Sequence, residues 1–231
     1  MSRNVEGNLS GNGSGNGNGD GIYRSRASDP SVRRLSDYHR ILEDLERSGA
    51  EVVSSARLAA LAGTNPAQIR KDLSYFGSFG KRGSGYRVAE LRAKILAILG
   101  LDRRWKVALA GVGNLGQALL AHKEFSRYGF DIVAIFDVDP EKIGHRIAGV
   151  EVSPLEDCAR VVTLRGVELC VVATPVAAAQ VVVEKLSEAG VRGFLNFAPR
   201  QVETRGKVEL RNVNLTIELE GLTFALHKAG R

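Results

Sequence analysis

The sequence predicts a two-domain α/β chain, an N-terminal winged helix-turn-helix domain followed by a doubly wound Rossmann domain. The 231 residues leave room for two modest domains. The net charge of +6 arises in one segment, because residues 30–104 hold 14 Lys and Arg against 8 Asp and Glu, whereas residues 105–231 hold 15 of each. Strand-like and helix-like patterns alternate only in the second half. We therefore expect domains at 30–100 and 101–213, followed by a C-terminal helix at 214–231.

Residues 1–29 are rich in Gly, Asn and Ser. This composition offers too little apolar surface to offset the entropy of ordering, so we expect a disordered tail. It lacks the apolar core of a signal peptide, and the longest apolar stretch, 169–183, is too short to cross a bilayer. We expect a cytoplasmic protein without membrane association. Cys170 lies in an apolar run where a buried thiol is expected, and no metal site is predicted.

A helix-turn-helix is predicted over about 38–77. Apolar residues recur at helical spacing from Val32 to Leu45, and Gly49 ends this first helix. Ser54 and Ser55 carry hydroxyls suited to capping a short second helix that ends before the turn at Gly63. The order of helix, glycine turn and helix is typical of DNA readers.

The third helix has three start signals. Asn65 can cap it, Pro66 fits its first position, and Gln68 stands where a capping-box side chain reaches back. Ile69 and Leu73 are predicted to face the core. The outer face is then polar and basic, and such side chains can read adenine or guanine edges and hold phosphates.

A glycine-punctuated segment, FGSFGKRGSGY, follows and predicts a β-hairpin wing at 78–86 with Lys81 and Arg82 at its tip. Cations there suit the narrow minor groove of A·T-rich DNA. An ordinary glycine-rich loop with a solvated basic face is the alternative. A helix from Val88 to Leu99 is expected to close the domain. The candidate DNA-binding residues are Ser54, Ser55, Asn65, Gln68, Arg70, Lys71, Ser74, Tyr75, Lys81 and Arg82.

The second domain opens with an apolar strand from Trp105 that runs into the turn GVGNLG and a helix. Glycines at these spacings permit a tight turn, close approach to a pyrophosphate and close helix packing. A second strand ends in Asp137, about 20 positions later, as the dinucleotide fingerprint requires. A carboxylate there accepts ribose hydroxyls and repels a 2′-phosphate, so NAD(H) is predicted rather than NADP(H).

Further alternation predicts helices at 155–163 and 177–189 and strands at 167–173 and 193–198. Two segments follow strand ends, where such sheets bind ligands; both could instead be plain turns. The candidate cofactor residues are Gly111, Val112, Gly113, Asn114, Leu115, Gly116, Asp137, Val138, Lys142, Thr174, Pro175, Asn196, Phe197 and Ala198.

Catalytic equipment for hydride transfer is missing from the sequence. None of the tyrosines has a Lys four residues on, and His122 is the one histidine near the dinucleotide helix. A DNA-binding domain joined to a dinucleotide site that lacks catalytic residues indicates a sensor rather than an enzyme. A dehydrogenase with an appended basic domain, and a regulator that responds to CoA or another nucleotide, remain open.

Four segments together, RKDLSYFGSFGKRGSGY, GVGNLG, FDVDPEKIG and LNFAP, resemble the Rex family of redox-sensing transcriptional repressors. The match runs from about Ser31 to Leu226. The resemblance implies a homodimer that binds an inverted-repeat operator when NAD⁺ is bound or the site is empty, and releases it when NADH binds. It also implies that the last helix is exchanged between protomers, with Leu215, Leu219, Leu222 and Leu226 on one face.

The resemblance further implies a switch at three positions. An arginine on the first helix, here Arg40, pairs in the NADH form with positions where family members commonly carry a tyrosine and an acidic residue. This chain carries His122 and Asn214 there. Asn214 cannot form the ion pair, which leaves three alternatives open: a weaker switch, a differently wired one, or one that uses His122 as a charge-bearing partner.

Overall fold

The computed structural model describes residues 29–79, 84–199, 201–204 and 206–229. The predicted tail, up to residue 28, and the wing residues Lys81 and Arg82 lie outside the described residues. The chain forms two compact units that divide between Asp102 and Arg103.

The first unit contains four helices and two short strands among its described residues. In chain order these are α1 (Asp29–Arg47), β1 (Val52–Val53), α2 (Ser55–Leu61), α3 (Pro66–Ser74), β2 (Tyr86–Arg87) and α4 (Val88–Leu99). One apolar core joins them, with Leu35, Tyr38 and Leu42 of α1 fully buried. The predicted helices are confirmed, including the close at Leu99, where Gly100 takes the left-handed conformation that ends a helix.

The wing predicted at 78–86 falls partly outside the described residues, so its hairpin stays a prediction. Tyr86 and Arg87 pair antiparallel with Val53 and Val52, and Ser78 and Phe79 belong to no strand. Gly85 makes this approach feasible, because a Cβ there would lie 2.8 Å from the carbonyl oxygen of Val53. β1 has only two residues, too few for a pattern to reveal it as a partner.

The second unit is a seven-stranded sheet with helices on both faces. Its elements are β3 (Trp105–Ala110), α5 (Asn114–Ala121), α6 (Glu124–Arg127), β4 (Phe130–Asp137), β5 (Arg146–Ile147), β6 (Val150–Pro154), a 3₁₀ turn (Leu155–Asp157), α7 (Cys158–Arg165), β7 (Leu169–Val172), α8 (Val176–Glu188), β8 (Gly193–Asn196), β9 (Glu209–Asn212) and α9 (Leu215–Ala229).

The strands lie in the order β5-β6-β4-β3-β7-β8-β9, all parallel except β5. Alternate residues of β3 enter two cores. Ala108 and Ala110 pack with α7 and α8, and Val107 and Leu109 pack with α5. This two-faced burial explains the near-continuous apolar strands of the sequence. The doubly wound prediction is confirmed, while β5, β6 and β9 were not predicted because they are short or polar.

The second core leaves an apolar hollow of about 350 Å³ over β7 and β8, with Leu169, Val171 and Leu195 in its wall. Helix α9 begins at Leu215, one residue after the predicted start at 214. Its large apolar residues lie on two opposite sides, with Leu215, Leu219, Leu222 and Leu226 on one and Ile217 and Phe224 on the other. Its large side chains are exposed in the single chain, Leu219 to 62% and Phe224 to 70%. Within the described ranges, no helix combines the length and apolar character needed to cross a bilayer.

Candidate functional site

The helix pair α2 and α3 is positioned by the two predicted caps. The Ser54 hydroxyl accepts the backbone N–H of Arg57 at 3.1 Å, and the Asn65 side-chain oxygen accepts that of Gln68 at 2.9 Å. Pro66 occupies the first turn of α3, where its missing N–H has no intrahelical partner to lose. Both predicted starts are confirmed, and the capping oxygens of Ser54 and Asn65 are engaged by their own helices.

A fully buried carboxylate, Asp72, anchors α3 to α1. Arg34 donates to it twice, from Nε to Oδ2 at 2.6 Å and from Nη2 to Oδ1 at 2.7 Å. The Tyr38 hydroxyl donates to Oδ2 at 2.8 Å, and Ser31 donates to Oδ1 at 3.4 Å. Ser31 and Arg34 occupy the inward side of α1 near its start, and Val32 is 40% exposed although it belongs to the apolar pattern that predicts this helix.

Sequence reasoning missed this cluster. Asp72 lies on the inward side of α3 between Ile69 and Leu73, both of which are buried. A carboxylate on an apolar face must be paired, since burying an unpaired charge is strongly unfavourable. The position of Asp72 on the apolar face of α3 was therefore the sequence signal that could have revealed the cluster.

The protonation states of the cluster support one another. Burial opposes ionisation of Asp72, but the hydrogen bonds from Arg34, Tyr38 and Gln68 outweigh it and hold the pKa of the carboxyl below its usual range. Burial and the bond to Asp72 raise the pKa of Tyr38, and the bond to Asp72 raises the pKa of Arg34. The carboxylate therefore stays charged while its donors keep their protons.

The predicted capping-box role of Gln68 is wrong. Its side-chain Nε2 donates to Oδ1 of Asp72 at 2.8 Å, one turn along α3, instead of reaching back to Asn65. The carboxylate is a charged acceptor for the amide donor Nε2, and it lies one turn along the same side of the helix. Any base contact by Gln68 must therefore use an amide already oriented by Asp72.

The outward side of α3 carries the exposed cations Arg70 and Lys71. Arg70 Nη1 donates to the hydroxyl of Ser55 at 3.2 Å, so α2 orients this guanidinium. The Ser74 hydroxyl donates to the Lys71 carbonyl at 2.7 Å, and Tyr75, half-buried, ends the helix. Lys81 and Arg82 fall outside the described residues.

A cleft of about 380 Å³ lies in the second unit, at the carboxyl ends of β3, β4 and β7. Seven predicted cofactor residues line it: Gly111, Gly113, Asp137, Val138, Lys142, Thr174 and Pro175. The cleft has the location at which doubly wound sheets bind nucleotides.

The three glycines of the turn at the cleft have different roles. Gly111 has φ +92°, and a Cβ there would lie 2.7 Å from the Ala173 carbonyl oxygen. A Cβ on Gly116 would collide with the Gly111 carbonyl. Gly113 differs, since nothing in the protein lies within 4 Å of its Cβ position. Two glycines therefore shape the turn, and Gly113 leaves open space before the N-terminus of α5.

Asp137 closes the other side of the cleft. Its Oδ2 accepts the N–H of Val112 at 2.8 Å, and its Oδ1 accepts the N–H groups of Val138 and Asp139 at 2.8 and 3.0 Å. Lys142 Nζ lies 3.0 Å from Asp139 and 3.7 Å from Asp137. The carboxylate is thus fixed in place, with lone pairs remaining for a ribose hydroxyl.

The remaining members of the predicted set divide into exposed and buried residues. Asn114 and Leu115 are exposed in the first turn of α5, whereas Val112 and Gly116 are buried beneath the turn. On the β7 side, the Thr174 hydroxyl oxygen is buried and finds no hydrogen-bond partner in the described part of the chain.

Asn196 and Ala198 are buried and do not line the cleft. The Asn196 side chain donates from Nδ2 to Asn212 Oδ1 at 2.8 Å and to the Ala198 carbonyl at 3.3 Å, and its oxygen accepts the Ala198 N–H at 3.0 Å. Phe197 is half-buried against the core. The side chain of Asn196 therefore organises this loop, because a buried amide must be satisfied internally.

The three predicted switch positions fall in both units. Arg40 is exposed on α1 of the first unit. In the second, His122 ends α5 and meets Phe125 edge-on at 5.6 Å. Asn214 Oδ1 accepts the N–H of Thr216 at 3.0 Å, so this residue caps α9. The cap was not predicted, although Asn before an apolar helical pattern is its usual signal.

The cleft fits an NAD-type dinucleotide on its own geometry. Gly113 leaves room for a pyrophosphate at a helix N-terminus, and the fixed carboxylate of Asp137 suits an unphosphorylated ribose. Among the described residues, no group of three or more His, Cys, Asp or Glu is placed to hold a metal. Both cysteines are buried, and burial raises the pKa of Cys170.

Fold and site together define a class of protein, a helix-turn-helix domain joined to a Rossmann nucleotide-binding domain. Two family models match these parts, "Putative DNA-binding protein N-terminus" over residues 27–74 and "CoA binding domain" over residues 102–200. The redox-sensing transcriptional repressor Rex of Desulforamulus reducens is 46% identical over 86% of this chain and 94% of its own length. That of Carboxydothermus hydrogenoformans is 47% identical over 87% and 96%. The chain belongs to the Rex family.

Solved structures agree with this assignment. RSP, a Rex-family repressor, matches with a TM-score of 0.80 and 33% identity over 88% of this chain and 95% of that one. RSP in complex with β-NAD⁺ and operator DNA matches with a TM-score of 0.83 and 34% identity over 88% and 94%. RSP in complex with β-NADH matches with a TM-score of 0.79 and 32% identity over 89% and 96%.

Proposed function

We propose that this protein is a transcriptional repressor that binds operator DNA as a homodimer and leaves it when NADH binds. One observation carries the proposal: a single chain joins the exposed cations of α3 to a cleft shaped for a dinucleotide without a 2′-phosphate. The RSP structures with β-NAD⁺ and operator DNA, and with β-NADH, support both ligands. We expect such a regulator to act in the cytoplasm.

The DNA-binding residues of this proposal are those on the outward side of α3 and its caps. Arg70, oriented by Ser55, is proposed to contact a guanine edge, and Lys71 a phosphate. Lys81 and Arg82 are proposed to enter the minor groove of an A·T-rich site. A dimer presents two such helices about 34–36 Å apart, so a modest rotation of one protomer breaks the fit to an inverted repeat.

Binding of NADH or NAD⁺ in the cofactor cleft would report the cellular ratio of the two forms. The backbone at Gly113 is proposed to face the pyrophosphate and Asp137 the ribose, with Thr174 and Pro175 on the nicotinamide side. NADH need only bind the released form more tightly than NAD⁺ does, because a ligand shifts an equilibrium by its differential affinity.

A sensing role without catalysis is part of the proposal. Asp137 and Lys142 are the ionisable residues of the cleft wall, and they lie 3.7 Å apart in a shared charge cluster. A dehydrogenase needs a positioned proton donor or acceptor at the reacting carbon. Turnover of NADH with a carbonyl substrate would contradict this part of the proposal.

Helix α9 is proposed to be exchanged between protomers. Its apolar residues, exposed in the single chain, are expected to be covered in the dimer. In the NADH form, Arg40 is proposed to meet His122 and Asn214 at the switch. Sedimentation of the full chain and of a variant that ends at Val213 tests the exchange, since the shortened chain is expected to be monomeric.

The decisive experiment titrates operator DNA, selected from a random duplex library, with NADH and NAD⁺ in parallel. NADH is expected to release the DNA and NAD⁺ to leave it bound. Operator binding that is indifferent to micromolar NADH would refute the sensing function. The match to a CoA-binding model favours a second candidate, a CoA-responsive regulator. Thermal stabilisation by CoA and none by NADH would establish it instead.

A further inference from the structure

A hydrogen bond between two amide side chains, one buried and one exposed, connects two strands at the cleft side of the sheet. Asn196, at the end of β8, is fully buried, and its Nδ2 donates to Oδ1 of Asn212, at the end of β9, at 2.8 Å. Nδ2 of Asn196 also donates to the Ala198 carbonyl, and its Oδ1 accepts the Ala198 N–H. Since a buried amide cannot leave its groups unpaired without a large desolvation penalty, these bonds tie the ends of the two strands.

One side of this pair leads to the cleft. The N–H of Phe197, the next residue, donates to the carbonyl of Val172 at 2.9 Å. Val172 ends β7, two residues before Thr174 in the cleft wall. The loop that begins at Asn196 is therefore held in register with the wall of the nucleotide site.

The other side leads to α9. The N–H of Val213 donates to the Asn196 carbonyl at 2.8 Å, and Asn214 caps the helix through the N–H of Thr216. Only Val213 and Asn214 separate the amide pair from the first residue of α9. The path contains successive hydrogen bonds and no flexible linker, so a shift of the cleft loop is carried to the start of the helix.

We infer that Asn212 is a positioning residue that couples occupancy of the cleft to the placement of α9. The inference rests on the proposed function, since it concerns how NADH alters the dimer. Coupling requires a contact on which both sites depend, and the Asn196–Asn212 bond is such a contact. Asn212 does not belong to the cleft lining, so a role in binding the cofactor is not needed to explain it.

The residue to change is Asn212 rather than Asn196, because Asn212 is exposed and its replacement leaves the core intact. Asn212→Leu removes the acceptor for Asn196 Nδ2, whereas Asn212→Asp keeps an acceptor at the same place. Asn212→Ala provides a second loss variant of smaller size. Melting curves and NADH affinity by fluorescence report whether each variant keeps its fold and its cofactor site.

The measured quantity is the ratio of operator affinities without and with saturating NADH, in the full-length protein. Asn212→Leu and Asn212→Ala are expected to lower this ratio by between about twofold and thirtyfold, because they hold the operator more tightly when NADH is present. Operator affinity without NADH stays as in the wild type. Asn212→Asp is expected to keep the wild-type ratio.

The outcomes separate this inference from the proposed function. A wild-type protein whose operator affinity ignores NADH overturns both. A wild-type protein that responds, together with Leu and Ala variants that respond equally, overturns only the role of Asn212. An Asp variant that loses the response as Leu does also overturns it, because the hydrogen bond would then not be the cause.

Discussion

Arg34 on α1 donates two parallel hydrogen bonds, of 2.6 and 2.7 Å, to the buried carboxylate of Asp72 on α3. Asp72 directs its side chain to the interior of the helical unit, while its neighbour Lys71 is exposed on α3. The contact therefore fixes the rotation of the helix proposed to read DNA. Fixed rotation matters because base edges are read by side chains at defined positions along one helix side.

Asp72→Ala is expected to destabilise the helical unit by about 3 kcal/mol, the lower end for breaking a buried pair, because Arg34 retains partial access to water. Chemical denaturation monitored by circular dichroism measures it. Glu46→Ala is the matched control: its ion pair with Arg92 spans 2.8 Å in the same unit but is solvent-accessible, so about 1 kcal/mol or less is expected. Equal losses in the two variants would contradict the anchoring role of Asp72.

Stability is expected to fall at acid pH partly through Asp72. Its pKa is lowered in the folded protein, so its contribution is present above the ordinary carboxyl pKa and is lost as the pH falls through the lowered value. Asp72→Asn cannot ionise and is expected to show a shallower loss of Tm between neutral and acid pH. A variant with the wild-type slope would show that other carboxyls dominate.

Arg70→Ala is expected to weaken specific operator binding by about 1–3 kcal/mol and to relax preference at one base pair. Ser55 orients this guanidinium, and the alanine leaves no group to reach the base. Fluorescence anisotropy with operator and scrambled duplexes measures both effects. Arg47→Ala removes the same charge from an exposed site at the end of α1 and serves as the control. NADH affinity is expected to stay unchanged in both, and an Arg70 variant with wild-type operator affinity would refute the recognition-helix assignment.

Gly113→Ala and Gly116→Ala are expected to fail in different ways. The methyl group added by Gly113→Ala would meet no protein atom, so the melting temperature stays near wild type while NADH affinity falls by about tenfold or more, or about 1.4 kcal/mol. Gly116→Ala collides with the Gly111 carbonyl and is expected to lower the melting temperature itself. Differential scanning fluorimetry with and without NADH separates the two. Unchanged NADH affinity in the first variant would place the pyrophosphate elsewhere.

Asp137→Ala is expected to weaken NADH binding, because it removes the ribose acceptor and releases the N–H groups of Val112 and Val138. NADPH is expected to lose less affinity than NADH, since the variant has no carboxylate to repel a 2′-phosphate. Asp139→Ala is the control, because it also pairs with Lys142 but does not line the cleft. Titration calorimetry with both cofactors measures the preference, and an unaltered NADH affinity would remove the basis for it.

Periodic patterns and caps were readable because they are local. Asn65 and Pro66 begin α3 as predicted, and the spacing of Gly111, Gly113 and Gly116 predicted the turn before α5. The close approach of the Ala173 carbonyl to Gly111 adds a constraint from a distant strand end. The edge strand β9 could not be read the same way. Its sequence is polar and its partner, β8, is separated from it by a long loop.

The hydrogen-bond partners of some side chains likewise could not be predicted from neighbouring residues. Gln68 was expected to reach back to Asn65 but meets Asp72, because a buried charge formed by helix packing attracts it. Asn196 was predicted at the cofactor, which stays a prediction, and nothing in the local sequence indicated that its side chain bonds Asn212 of the next strand.

The sequence by itself determined the order of a helix-turn-helix and a dinucleotide fold, together with the cleft residues Gly113 and Asp137, because periodicity, capping and glycine spacing act over a few residues. Tertiary structure alone decided which polar side chains form hydrogen bonds inside the protein. The anchoring of α3 by Asp72 and the tie between Asn196 and Asn212 both arise when distant segments pack and bury polar atoms, which must then be paired with whatever the fold brings near.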